Sequence, residues 1–315
     1  MRLTTVSKVA SAFLALTQLA SAGHHGHASI ARRHMHHKKS NLVKRGECQF
    51  PTDKGLVSVT PDAQNAGWAM SPDQPCKPGM YCPYACPPGQ LMAQWDPKAT
   101  SYSYPGSMNG GLYCNDDGEI EIPFPDKPMC YDGTGTYKVK NLSGASVAIC
   151  QTVLPGNEAM LIPTVVGSSA TLAVPDTSYW CKTAAHYYIN PPGVSAADGC
   201  IWGSKEKPHG NWTPYVAGAN ELDNGETFVK IGWNPIYIEP DVPFRTERPD
   251  YGIRIECDGD CGGLPCAIDP AIHDVNEVSQ MNGAGAGGAN FCVVSVAKGS
   301  TANLVIFKVG GGSGD

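Results

Sequence analysis

The sequence predicts a mainly β fold: an antiparallel β-sandwich with a disulfide-rich, loop-rich N-terminal portion. Three observations carry that expectation. Apolar and polar residues alternate in short runs along the second half, the period of a half-buried strand. The 315 residues include 36 glycines and 26 prolines and show little helical periodicity, so short elements must be joined by tight turns. Thirteen cysteines follow an export signal, and in an oxidising compartment that points to disulfides.

The export signal comes first in the chain. Arg2 and Lys8 flank an apolar run from Val9 to Ala20, and Ala20-Ser21-Ala22 is a small-x-small cleavage site. Residues 1–22 therefore read as a secretory signal peptide, since the run is too short to span a bilayer. No later run is apolar enough to span, and the polar glycine tail Gly310–Asp315 lacks the character of a lipid-anchor signal, so no membrane anchor is expected. Residues 23–45 follow as a histidine-rich basic pro-segment or solvated tail, with six histidines, no acid and a dibasic end at Lys44-Arg45. The body, residues 46–315, then carries 15 basic against 29 acidic residues, a net of −14. Such a charge repels nucleic acid and anionic membranes and suits a neutral or cationic extracellular partner.

All 13 cysteines lie in the body, which allows six bridges and one odd thiol. Cys48, close to the processing site, is the expected odd one by position. Residues 48–130 are rich in Cys, Pro and Tyr and read as loops, whereas strand signals dominate 131–309. In order, the strand-like runs are TYKVKNLSGASVAIC (136–150), ETFVKIGWNPIYIEP (226–240), DYGIRIECDG (250–259), ANFCVVSVAKG (289–299) and ANLVIFKVGG (302–311). Thr227, Val229, Ile231 and Trp233 fall on one face of the second run, and Tyr251, Ile253 and Ile255 on one face of the third. Pro270–Met281 alone hints at a helix. The glycines of Gly283–Gly288 match a G-x-G-x-x-G pattern, but a strand-like run follows where a nucleotide site requires a helix, so this segment reads as a loop. Asn141-Leu-Ser143 and Asn211-Trp-Thr213 are glycosylation sequons, and nothing calls for a metal or another cofactor: His186, His209 and His273 are scattered, and no G-x-S-x-G elbow occurs.

The segment NAGWAMSPDQPCKPGMYCPYACPPGQLMAQWDPKATSYSYPGSMNGGLYC closely resembles the fungal SUN family of secreted cell-wall proteins. The family pattern C-x5-C-x3-C matches Cys76, Cys82 and Cys86, with Cys114 as the fourth cysteine after 27 residues, where the family has nearer two dozen, as a divergent branch would show. GLYCNDDGEIEIPFPDKPMC, NWTPYVAGANELDNGETFVKIGWNPIYIEP and CGGLPCAIDP extend the likeness, which runs from Gly55 to Val309. It implies a secreted, extracellular protein of the cell wall, acting on β-glucan as a glycoside hydrolase of β-glucosidase or β-1,3-glucanase type, with roles in septation and wall remodelling. GDCGGLPC also resembles a short cysteine-rich stretch of thaumatin-like proteins, which agrees with a sandwich. The family implies no catalytic pair.

Glycoside hydrolysis uses two carboxylates, one of which gives a proton to the leaving oxygen. The densest set of acids is Glu256, Asp258 and Asp260, pinned among Cys257, Cys261 and Cys266; in a strand Glu256 and Asp258 would share a face. Solvated turn acids beside disulfides are the plainer reading. Glu239 and Asp241 are a second candidate pair, while Asp116, Asp117 and Glu119 read as an ordinary polar turn. Sugar faces stack on flat rings, and Trp95, Trp202, Trp212, Trp233 and Tyr102 lie near Gly, Pro, Asn or Ser, where loops can expose them. The alternative function is a wall-organising protein that binds β-glucan without cleaving it; a secreted structural or antifungal thaumatin-like protein is a third. The partner expected in each of the first two readings is β-glucan.

Overall fold

The computed structural model describes residues 46–100, 107–156 and 161–310. The signal peptide, the basic segment 23–45 and Tyr102 lie outside them. Eighteen short strands and a few single helical turns make up the described chain, and no helix among the described residues is long and apolar enough to cross a membrane. Mainly β with antiparallel sheets is therefore the observed class, as the alternation predicts.

The N-terminal portion is held by crosslinks more than by sheet. Strands β1 (Met80–Cys82), β3 (Leu112–Cys114) and β4 (Ile120–Glu121) form a three-stranded sheet, and β2 (Gln90–Met92) pairs with β5 (Cys130–Asp132). Disulfides Cys48–Cys114, Cys76–Cys82 and Cys86–Cys130 run through a small core that also buries Phe50, Trp68, Met70 and Tyr84. Loops this irregular must satisfy their backbone polar groups without ladders, and two buried amides do so. Asn65 donates to the carbonyls of Val59 and Trp68 at 2.9 and 2.7 Å. Gln94 donates to those of Phe124 and Lys127, both at 2.9 Å, and accepts from the Phe124 N–H.

The β-rich portion contains two large sheets. One is ordered β15 (Ala267–Ile268), β13 (Tyr251–Asp258), β18 (Thr301–Lys308), β6 (Tyr137–Leu142), β9 (Ser169–Thr171). The other is ordered β14 (Cys261–Gly262), β17 (Asn290–Val296), β12 (Thr227–Trp233), β11 (Tyr215–Glu221), β10 (Ala185–Ile189), β7 (Val147–Thr152), β8 (Ile162–Val166), with β16 (Gly283–Ala284) also on β17. Every pairing is antiparallel except β18 with β6. The predicted faces of β12 and β13 point inward, and residues of both sheets share one core: Val229, Ile231 and Trp233 from one, Tyr251, Ile253 and Ile255 from the other. Tyr215 stands edge-on to Trp233 and Tyr251 at 5.1 Å each, contacts that contribute about 0.5–1.5 kcal/mol apiece beyond burial. The Tyr251 hydroxyl donates to the Ile189 carbonyl of the opposite sheet at 2.7 Å.

Two expectations are overturned. Pro270–Met281 forms turns, because polar side chains capture the backbone there: the Asp269 carboxylate accepts from Ala271 N–H, His273 Nδ1 from Asp269 N–H, and Glu277 from Asp274 N–H. Asn276 adds a left-handed φ of 68°. Cys48 is not the odd cysteine either. Its main-chain N–H is held by Cys76 O, which aligns it with β3 and Cys114, and the free thiol is the exposed Cys181. The remaining bridges are Cys150–Cys200, Cys257–Cys261 and Cys266–Cys292.

Candidate functional site

The acids singled out in the sequence are dispersed. Glu256 and Asp258 do share a face of β13, but it is the outward one. Arg254 Nη2 and Nε donate to one Glu256 oxygen at 2.7 and 3.1 Å, and Lys140 Nζ lies 3.7 Å from the other. Asp258 is exposed and accepts from Asn303, and Asp260 is exposed in the following turn. Glu239 and Asp241 sit on a surface turn, where Asp241 meets Lys205 at 3.1 Å. Glu256 is paired to Arg254 and Lys140 and Asp241 to Lys205, and neither set lines the furrow described next.

The aromatics divide as well. Trp233 is 2% exposed, with its indole N–H on Glu277 O, so it is core and offers no face to a sugar. Trp212 and Trp95 are half-buried, and Lys127 Nζ covers the Trp95 ring at 3.9 Å. Trp202, 46% exposed, is the one with a wide free surface. The two sequon asparagines are folded in: Asn141 donates to the carbonyls of Ala145, Val166 and Gly167, and Asn211 is buried with its oxygen on Gly203 N–H. The motif cysteines fall in three different bridges, and the sulfurs of Cys48, Cys76 and Cys114 lie within 4.8 Å of one another as two neighbouring disulfides.

A furrow of about 450 Å³ lies elsewhere, at one end of the two large sheets. The β11–β12 hairpin, Thr134–Thr136, Thr177 and residues 298–301 line it. The sequence LDNGE shapes the hairpin. Asn224 accepts from Glu226 N–H, the Leu222 and Gly225 N–H groups bond across the turn, and Gly225 takes φ +80°. It is this left-handed φ that calls for glycine, and the flexible Lys298 side chain packs beside the turn. A hydroxyl chain leads inward from the furrow, Thr134 to Thr136 at 2.7 Å and Thr136 to the buried Thr227 at 2.9 Å.

Two carboxylates line this space with pKa values shifted in opposite directions. Glu221, half-buried at the end of β11, has its pKa raised by burial and then by the charge of Asp176, with Lys298 opposing. Asp223 has its pKa lowered by hydrogen bonds from Lys182 and Thr177 and by the Lys182 charge. Lys182 Nζ reaches both Asp223 oxygens, at 2.8 and 2.9 Å. Asp176 is itself fixed by Ser178, whose N–H and hydroxyl donate to it at 2.7 and 2.6 Å. A pair pushed apart in this way can supply one proton donor and one charged base or nucleophile. Sequence reasoning passed over both residues because Asp-Asn-Gly between two strands reads as a turn. Their distinguishing partners lie some forty to eighty residues away in the chain, and no local signal marks them.

The comparisons with known proteins agree with the motif. The family model described as beta-glucosidase (SUN family) matches residues 44–294. The chain is 52% identical over 316 residues to uncharacterized protein YMR244W of Saccharomyces cerevisiae, covering 98% of this chain and 85% of that one. It is 58% identical over 263 residues to the protein named "Probable secreted beta-glucosidase adg3" of Schizosaccharomyces pombe, covering 82% of this chain but only 23% of that longer protein. To the protein named "Probable secreted beta-glucosidase UTH1" of Saccharomyces cerevisiae it is 35% identical over 272 residues, 82% of this chain and 68% of the relative. No solved structure matches. With four-fifths of its length matched by the family model and its motif cysteines locked into the scaffold, the chain belongs to the SUN family.

Proposed function

We propose that this chain is a secreted cell-wall hydrolase that cleaves β-1,3-glucan during wall remodelling and septation. The observation that carries the reading is the furrow at the end of the sheets, where Glu221 and Asp223 face one space with their proton affinities driven apart. The disulfide-braced frame suits an oxidising exterior. The relatives' names support action on β-linked glucose, since two of them are called probable secreted beta-glucosidases.

The test is digestion of laminarin and of insoluble β-1,3-glucan by the exported protein, with the products analysed by chromatography. Glucose or short oligosaccharides are the expected products, and intact substrate after long incubation with folded protein overturns the reading. A second reading, glucan binding without hydrolysis, is favoured by one observation: the exposed Trp202 is not among the furrow's lining residues. It expects retention on insoluble glucan with no product released.

A further inference from the structure

One hairpin sets two carboxylates in contrasting surroundings. Glu221 lines the furrow half-buried, its main-chain N–H held by Pro175 O at 3.2 Å. Asp223, two residues on, keeps 74% of its side chain in water while Lys182 grips both oxygens. A donor to a departing sugar oxygen must hold its proton at working pH, which partial burial favours. A base must be ionised and reachable by water, and the cation and the exposure provide both conditions. Lys182 engages both Asp223 oxygens while the side chain stays open to solvent, so water reaches the carboxylate directly.

We propose that Glu221 protonates the glycosidic oxygen and that Asp223 activates the attacking water, so that cleavage proceeds with inversion. This division of labour rests on the hydrolase reading above. In the step, the Glu221 carboxyl proton passes to the bridging oxygen as the bond from the anomeric carbon to that oxygen breaks. Asp223 takes one proton from water, whose oxygen forms the new bond on the opposite face of the anomeric carbon. The products are an α-configured hemiacetal and a free hydroxyl on the departing chain, and the proton gained by Asp223 returns to Glu221 through solvent. Lys182 is a positioning residue: it holds Asp223 charged and oriented through both carboxylate oxygens and acts on the sugar only through them.

The first experiment follows the anomer formed initially from laminarin by proton NMR, using the unaltered exported protein. The α anomer is expected, and the β anomer overturns the role given to Asp223. The second compares Glu221→Gln with the parent on laminarin and on an aryl β-laminaribioside, whose leaving group needs no proton. Laminarin turnover should fall roughly 10²–10⁴-fold while the aryl substrate is cleaved within a few-fold of the parent rate. Equal turnover on laminarin, or equal loss on both substrates, overturns the role given to Glu221. The NMR measurement uses no variant, so a substitution that fails to fold does not shield the proposal. A parent protein that cleaves neither substrate overturns the hydrolase reading itself, which separates that failure from a wrong assignment of roles.

Discussion

Glu221 and Asp223 stand two residues apart, yet their environments have little in common, and the difference arises from side chains distant in sequence. Burial and then the charge of Asp176 raise the Glu221 pKa, while hydrogen bonds from Lys182 and Thr177 lower that of Asp223. A donor must be protonated and a base ionised, so kcat/KM should fall as pH rises through the raised Glu221 pKa and fall again as pH drops through the lowered Asp223 pKa. Asp176→Asn removes a charge that raises Glu221 while preserving an oxygen for Ser178. The alkaline limb should then move to lower pH with the acid limb in place, as read from a pH profile on laminarin; an unmoved alkaline limb would separate Asp176 from the site. None of this was legible in the residue string. An isolated LDNGE reads as a turn, and its surroundings come from 134–136, 176–182 and 298–301, segments joined only by the fold. The acids that did stand out, Glu256 to Asp260, drew notice through their density, and density on a strand is equally the signature of a solvated face.

At the level of elements, legibility followed periodicity. The alternation in β12 and β13 was long enough to fix both strand and inward face, and the structure buries Val229, Ile231, Ile253 and Ile255 as that pattern requires. Strands β1 to β5 are two or three residues each, too short to show a period, and crosslinks and buried amides specify them instead. Periodicity misled at 270–281, where Asp269, His273 and Glu277 turn their acceptors on the backbone. Connectivity of the cysteines was likewise beyond sequence, because spacing does not reveal which sulfurs a fold brings together. The Cys86–Cys130 bridge, separated by 44 residues, ties β5 back to the turn before β2. The paired change Cys86→Ser with Cys130→Ser should lower unfolding stability by about 4 kcal/mol in the loop-entropy treatment of disulfides, measured by chemical denaturation. A loss below about 1 kcal/mol would mean that the buried amides hold this portion unaided.

Across the whole molecule, six bridges account for twelve of the thirteen cysteines, so the unreduced protein should titrate with one thiol per chain, on Cys181. Although the residue is exposed, partial desolvation of its sulfur pushes the thiol's pKa up, and its alkylation near neutral pH should be slower than that of free cysteine. Two or more thiols in a quantitative titration would contradict the pairing. The sheet order carries a different consequence. β18 runs between β13 and β6, with β6 contributed by chain some 160 residues earlier. The smaller sheet therefore cannot assemble until residue 308 has emerged from the ribosome. A stop codon placed anywhere before Thr301 would strand β13 and β6 without the neighbour that joins them, and such a message should yield only material destined for degradation.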